Sequence, residues 1–365
     1  MNHPTLFSPA SLGTLELPNR IVMAPMTRLR ALGGLPNSAM ADYYGQRADA
    51  GLIVTECTMV ADTSAAYINA PGIFDDRFIS GWRAVTDAVH EKNGRIFMQL
   101  WHCGRVAHMS MMPGEVAPLA PSPIAGAGEL HTFSGKHPMS VPRAMSVDEI
   151  RGLTKAFGKA AERASRAGFD GVEIHGAFGY LIDQFLQDGS NRRNDDYGGS
   201  IENRVRFLLG IVGAVQQAFG ANVGLKLSPS SRAHGMSDSD PAALFGFLLD
   251  QLNDADLAYV HMMEPLPDDQ AMNPTIVNTR AFARQHYRGV LIANGGFAAE
   301  SAEAALAAGE ADLVSFGQLF IANPDLPERF ARGAALAIPD FTKVYGVPGL
   351  PVEIGYSDYP RAIST

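Results

Sequence analysis

Short apolar, β-branched runs recur along the chain with longer amphipathic segments between them. That alternation predicts parallel β/α units rather than hairpins or a helical bundle. Eight runs can be counted, at 20–24, 52–55, 95–100, 171–174, 223–227, 257–261, 290–293 and 312–316. Eight such units predict the α/β class and, within it, a (β/α)8 TIM barrel. Most of the runs are apolar throughout rather than alternating, as strands covered outside by helices and packed inside should be. Ser146-Val147-Asp148-Glu149 reads as a capping box that opens a helix through Ala167, stopped by Gly168, and a second helix at 300–308 stops at Gly309. The rhythm breaks at 104–144, a stretch rich in Pro, Gly and Met between the third strand and its helix. It predicts an insertion over the catalytic face, a lid or short hairpin.

Composition narrows this picture. The length of 365 residues would allow two domains, but no Ser/Gly linker, charge block or low-complexity tract divides the chain, so one domain over 1–365 is expected. A net charge of −9, from 29 basic and 38 acidic residues, lacks the basic surface that nucleic acid demands. The N-terminus shows no basic-then-apolar leader, and no run approaches the roughly 20 apolar residues of a membrane span. A cytoplasmic protein without a membrane partner is the expectation, as monomer or homodimer. Cys57 and Cys103 are the two cysteines, and neither belongs to a C-x-x-C pattern, which argues against disulfide or cysteine-rich metal folds.

Chemistry in such barrels collects where strands finish. Those ends are polar here: Thr27 and Arg28 after strand one, Glu56-Cys57-Thr58 after two, Gln99-Leu100-Trp101-His102 at three, and His175 through Tyr180 at four. Lys226, His261 with Glu264, Asn294-Gly295-Gly296 and Gly317-Gln318 complete the circuit. The glycines after strands seven and eight let backbone approach a ligand, and barrels often hold phosphate there, which points to a phosphorylated cofactor. Zinc is disfavoured because His102, His175 and His261 fall on different strands without metal-ligand spacing. Glu56 and Glu264 read better as a buried ion pair or loop hydrogen bond than as glycosidase carboxylates.

The motifs Pro18-Asn19-Arg20-Ile21-Val22-Met23-Ala24-Pro25-Met26-Thr27-Arg28, Gln99-Leu100-Trp101-His102-Cys103-Gly104-Arg105, Asp183-Gln184-Phe185-Leu186, Tyr197-Gly198-Gly199-Ser200-Ile201-Glu202-Asn203-Arg204 and Ala322-Asn323-Pro324-Asp325-Leu326 occur in this order. In them the chain resembles the Old Yellow Enzyme family of flavin-dependent ene-reductases, from Leu6 to Pro360. The resemblance implies an FMN-holding barrel, reduced by NADPH or NADH, that passes hydride to the β-carbon of an activated alkene. By position it implies cofactor contacts from Ala24, Pro25, Met26, Thr27, Cys57, Gln99, Lys226, Asn294, Gly295, Gly296, Phe316, Gly317 and Gln318. It implies that His175 binds the substrate carbonyl oxygen and Tyr180 protonates the α-carbon, with Trp101, Phe178 and Tyr345 around the substrate.

Three positions depart from that pattern. Phe178 stands where the family usually has His or Asn as a second donor, and losing such a donor typically costs about 2.7–4 kcal/mol. Gln318 replaces an arginine that grips the FMN phosphate, a charge-assisted bond worth about 1.5–3 kcal/mol. Lys226 replaces arginine below the flavin ring and keeps the charge without the fork. A flavin reductase with an altered substrate fits these changes. So do a barrel with weakened or lost FMN doing isomerisation or dehydration through His175 and Tyr180, and a non-catalytic ligand binder.

Overall fold

The computed structural model describes residues 3–362 except 273 and 348. Eight parallel strands close a barrel: β1 Ile21–Met23, β2 Leu52–Val54, β3 Ile96–Trp101, β4 Gly171–Gly176, β5 Val223–Leu227, β6 Tyr259–Met263, β7 Leu291–Asn294 and β8 Leu313–Phe316. Each pairs in register with the next, and β8 returns to β1 through Val314↔Ile21 and Phe316↔Met23. Outside lie α1 Ser38–Gly45, α2 Ile79–His90, α3 Val147–Arg166, α4 Ile201–Phe219, α5 Pro241–Leu252, α6 Thr279–His286, α7 Ala299–Ala307 and α8 Leu326–Arg332. The (β/α)8 expectation therefore holds. Strand positions match to within one or two residues, the largest slip being β6, which starts two residues late because Leu257 and Ala258 are still approaching the barrel. No helix among the described residues is long and apolar enough to cross a membrane.

Helix ends follow local chemistry. Ser146 and Glu149 form the reciprocal capping box of α3, and Gly168 beyond its end takes φ +90°, which a side chain would strain. Segment 104–144 contains an antiparallel hairpin, Glu129–Thr132 with Gly135–Pro138, and its Ala127 N–H donates to His234 O at 3.0 Å. That bond joins the segment to the loop after β5.

The barrel interior is stratified. At its amino end Leu12 and Leu17, from the N-terminal hairpin Ala10–Leu12 and Leu15–Leu17, pack with Val22, Leu52, Val54, Phe97, Ile292 and Leu313. This is a dry floor. One layer higher the inward positions turn polar, and the fully buried Glu173 of β4 organises them. Its Oε1 accepts from Gln99 Nε2 of β3 at 2.7 Å. Its Oε2 accepts from Tyr259 OH at 3.0 Å and His261 Nδ1 at 2.8 Å, both on β6. His261 Nε2 in turn meets Ser315 Oγ of β8 at 2.7 Å. Gly224 of β5 makes this possible, since a Cβ there would lie 2.2 Å from the Tyr259 ring.

Burial alone would push the Glu173 carboxyl up, but His261, Lys226 and Gln99 facing it hold it below the ordinary carboxylate range. It is therefore an ionised acceptor tying three strands directly. Glu173→Ala leaves three buried donors unanswered and should cost about 3–5 kcal/mol, whereas Glu173→Gln, which keeps the shape and an acceptor, should cost less. Urea unfolding followed by circular dichroism measures both, and equal losses would mean that packing rather than acceptance holds this layer.

Candidate active site

Above the Glu173 layer a cleft of about 240 Å³ opens, lined by Pro25, Thr27, Cys57, Gln99, His175, Phe178, Tyr180, Lys226, Ala233 and His234. Strand pitch brings these together. His175 lies two residues beyond Glu173 on β4, so both point inward, and it sits in register with Lys226 of β5.

His175 is neutral: burial, then the neighbouring Lys226, pushes it down to about 3. Its Nδ1 accepts the Ala177 N–H at 3.3 Å, so the ring proton belongs on Nε2. The imidazole is thus fixed as a hydrogen-bond donor rather than a cation. Tyr180 stands edge-on to it, with ring centroids 4.9 Å apart and planes at 83°, and burial raises its phenol well above the usual value.

The loop that carries Tyr180 is built by the Asp183-Gln184 motif. Asp183 accepts the Gly179 N–H at 2.8 Å, while Gln184 donates to Gly179 O at 2.7 Å and Cys103 O at 3.1 Å. Gln184 also accepts from Arg105 N at 3.0 Å, which locks the β3 and β4 loops together. Phe178 adopts φ +55°, its N–H held by Ser228 Oγ at 2.8 Å and its ring 5.7 Å from Lys226 Nζ.

Lys226 is the buried cation of the cleft. Its ammonium is buried, and its one recorded partner among the described residues is Asn294 Oδ1 at 3.2 Å. Burial pushes it down to about 8, opposed by Glu173, so it is still mostly charged at neutral pH. A buried ammonium has three donors, and an electron-rich acceptor in the cleft would answer the others. Thr27 Oγ1 lies 3.1 Å from Cys57 Sγ, whose thiol burial pushes up to about 12. Gln99 is anchored to Glu173 through its amide nitrogen and leaves its carbonyl oxygen without a recorded donor. An isoalloxazine ring, polar at one edge and acquiring negative charge on reduction, suits this set, so the residues present fit FMN at its ring.

Of the other expected cofactor residues, Pro25 and Cys57 line the cleft, whereas Ala24, Met26, Asn294, Gly295, Gly296, Phe316, Gly317 and Gln318 are not among its lining residues. Ala24 N–H donates to Phe316 O at 3.0 Å, and Met26 packs beside Gly317. Gly295 and Gly296 follow β7 with φ +123° and +70°. Gln318 is exposed and has no recorded side-chain partner. Arg280, which lies over the Phe297 ring just beyond the Gly295–Gly296 turn, is already paired with Glu264 and Glu310 at 2.7 Å each. Trp101 is fully buried behind Tyr180 rather than on the cleft wall, and Tyr345 is exposed and does not line the cleft.

His102 and His261 are structural. His102 Nδ1 accepts Gly104 N–H at 3.1 Å and its Nε2 meets Thr63 Oγ1 at 3.1 Å. Glu264 pairs with Arg280, and Glu56 accepts Arg28 N–H at 3.1 Å, so both carboxylates serve loops as expected. Sequence reasoning did not find Glu173, Tyr67, Ala233 or His234. The first was legible as the inward partner of His175 at a spacing of two. The last two sit beyond the point where the reading of β5 stopped.

The family model for the NADH:flavin oxidoreductase / NADH oxidase family matches residues 5–337. The chain is 40% identical to 12-oxophytodienoate reductase 1 of Oryza sativa subsp. japonica over 358 residues, covering 97% of this chain and 92% of that protein. It is 42% identical to a probable flavin mononucleotide-dependent alkene reductase of Leishmania infantum, with 97% of each covered. Morphinone reductase in complex with tetrahydroNAD superposes with a TM-score of 0.92 at 46% identity, covering 99% of this chain and 98% of that one.

The buried titratable groups also set an acid response. Burial pushes His102 and His175 down to about 3 and His261 to about 4. Unfolded histidines take protons near 6.5, so below that pH the unfolded state binds more protons and stability falls as pH falls. Glu56 and Asp183, pushed up to about 7 by burial, act oppositely between about pH 7 and 4.5. Three against two leave a net loss equivalent to one group there. Below about pH 4.5 the carboxyl offset ends and the depressed Glu173 joins the histidines in opposing folding, so stability should drop more steeply, by up to about 1.4 kcal/mol per pH unit for each group still titrating. Urea unfolding at pH 7, 5 and 3.5 tests this; a loss as steep from 7 to 5 as below 5 would contradict the offset.

Proposed function

The chain belongs to the NADH:flavin oxidoreductase / NADH oxidase family, and on that premise we propose that it reduces the C=C bond of an activated alkene such as an enone, with FMN as its flavin and NADPH or NADH as reductant. The observation that carries this reading is the neutral His175, fixed as an Nε2–H donor beside Tyr180 and in register with the buried Lys226. FMN, when bound, supplies the two-electron chemistry, taking hydride from the nicotinamide and delivering it to the alkene's β-carbon.

The protein's own groups do the rest. His175 donates to the substrate's carbonyl oxygen, where negative charge grows as the β-carbon takes up hydride. Tyr180 gives its phenolic proton to the α-carbon, and the phenolate regains a proton from water. Lys226 would place positive charge against a bound flavin ring, Thr27 and Gln99 would hydrogen-bond it, and the glycines after β7 and β8 would admit the phosphate to backbone N–H groups. Phe178 makes the other side of the oxygen site apolar and leaves the substrate oxygen to His175. Nothing in the site favours a flavin-free isomerase or a silent binder, because neither explains a buried cation short of acceptors.

FMN added to the flavin-free protein should be quenched on binding, bleach under NADPH and recover its colour with 2-cyclohexenone; protein that takes up no flavin at millimolar FMN defeats the proposal. Gln318→Arg should tighten FMN by about 10- to 100-fold in the same fluorescence titration. An unchanged Kd would place the phosphate away from residue 318. Phe178→His should raise kcat/KM for 2-cyclohexenone by about tenfold or more, and an unaltered value would mean that the second donor does not limit this enzyme.

A further inference from the structure

The loop after β2 carries a residue that the proposed reaction does not yet use. Tyr67 OH lies 2.8 Å from Tyr180 OH, and neither phenol has another recorded hydrogen-bond partner among the described residues. Tyr67 also stacks on Trp101 at 5.8 Å with planes 9° apart, while Tyr180 meets the same indole edge-on at 5.2 Å. Three rings therefore hold the two hydroxyls together.

The backbone behind Tyr67 is fixed as firmly. Thr63 bonds His102 Nε2 at 3.1 Å, Ser64 Oγ donates to Trp101 O at 3.2 Å, and the Cys103 N–H donates to Ser64 Oγ at 3.1 Å. Three hydrogen bonds tie residues 63–64 to 101–103, just ahead of Tyr67. They also give His102 its task, which is to seat this loop rather than to meet a ligand.

Two hydroxyls at 2.8 Å share one hydrogen. If Tyr180 is to aim its proton at the substrate, it cannot also donate to Tyr67, so Tyr67 must be the donor and Tyr180 the acceptor. Burial works against Tyr180 as an acid, because the phenolate left behind would stand in a site that disfavours charge. When the Tyr180 O–H bond breaks and the new bond to the α-carbon forms, the hydrogen bond from Tyr67 becomes charge-assisted and roughly doubles in strength. Burial raises the Tyr67 phenol to about 12, so it is protonated at working pH and available as the donor to Tyr180, and the Tyr180 oxygen is reprotonated by water after product leaves.

We propose that Tyr67 is a positioning residue for the proton donor: it orients the Tyr180 hydroxyl toward the substrate's α-carbon and stabilises the phenolate formed by proton transfer. This rests on Tyr180 being the acid.

The test uses FMN-loaded protein and follows each half-reaction by flavin absorbance. Tyr67→Phe should leave reduction by NADPH within about twofold, and should slow re-oxidation by 2-cyclohexenone about 10- to 100-fold, with kcat falling and KM nearly constant. Re-oxidation by a quinone, which needs no proton on carbon, should not change. Added to Tyr180→Phe, the substitution should cause no further loss, because it acts through that hydroxyl. A Tyr67→Phe variant that re-oxidises normally with enone, while Tyr180→Phe is slow, overturns the proposal and leaves the acid assignment standing. Normal enone re-oxidation in Tyr180→Phe removes the acid assignment and Tyr67 with it. Equal slowing of enone and quinone, or of both half-reactions, shows a merely structural tyrosine and also overturns it.

Discussion

An ionised carboxylate without water around it must be surrounded by donors, and in this barrel that requirement reaches most of the wall. Glu173 takes its hydrogen bonds from β3 and β6, and through His261 it engages β8. Lys226 on β5 contributes charge and links to Asn294 on β7. Strands far apart in sequence are thereby held at one height. A purely apolar layer could fill the same volume, yet it would not specify which inward side chain stands opposite which. The floor of Leu12, Leu17 and their neighbours supplies burial; the Glu173 layer supplies register.

The same layer prepares the cleft above it. Gln99 and Lys226 each have one end in the network and one end facing the cavity, so their positions are settled before any ligand arrives. His175 is kept neutral by the burial and the lysine beside it, which makes it a donor at all ordinary pH values. Such preorganisation lowers the reorganisation needed when charge develops on a bound substrate. The cost is a set of buried neutral histidines whose protonation in acid favours the unfolded chain.

At the rim, the departures from the resembling family form a consistent set. Phe178 presents its ring toward Lys226 where a second donor would otherwise stand, so the oxygen site is left with His175. Gln318 presents no charge where the phosphate end of a flavin is expected, and Arg280 is occupied by Glu264 and Glu310. On the proposed reading the ring end of the site keeps its polar side chains, while its phosphate end would rely on neutral and backbone groups. Tyr180 is supported from behind by Tyr67 and Trp101 rather than by anything a strand-end reading would reach.

Local pattern was enough to determine the fold. The eight apolar runs, the Ser146–Glu149 capping box and the glycines at helix ends are short-range signals, and each element formed within one or two residues of its expected place. The strand-end rule likewise gathered Thr27, Gln99, His175, Phe178, Tyr180 and Lys226, because in a closed parallel barrel every strand finishes on one face. Tertiary structure decided the partners. That Glu173 is an ionised hub, that His102 and His261 are structural, that Trp101 stands behind the wall and that Tyr67 meets Tyr180 all depend on contacts between residues 39 to 113 positions apart. Hydrogen-bond direction, burial and the charge each group can carry arise only when those distant side chains share one dry volume, and no spacing along the chain encodes them.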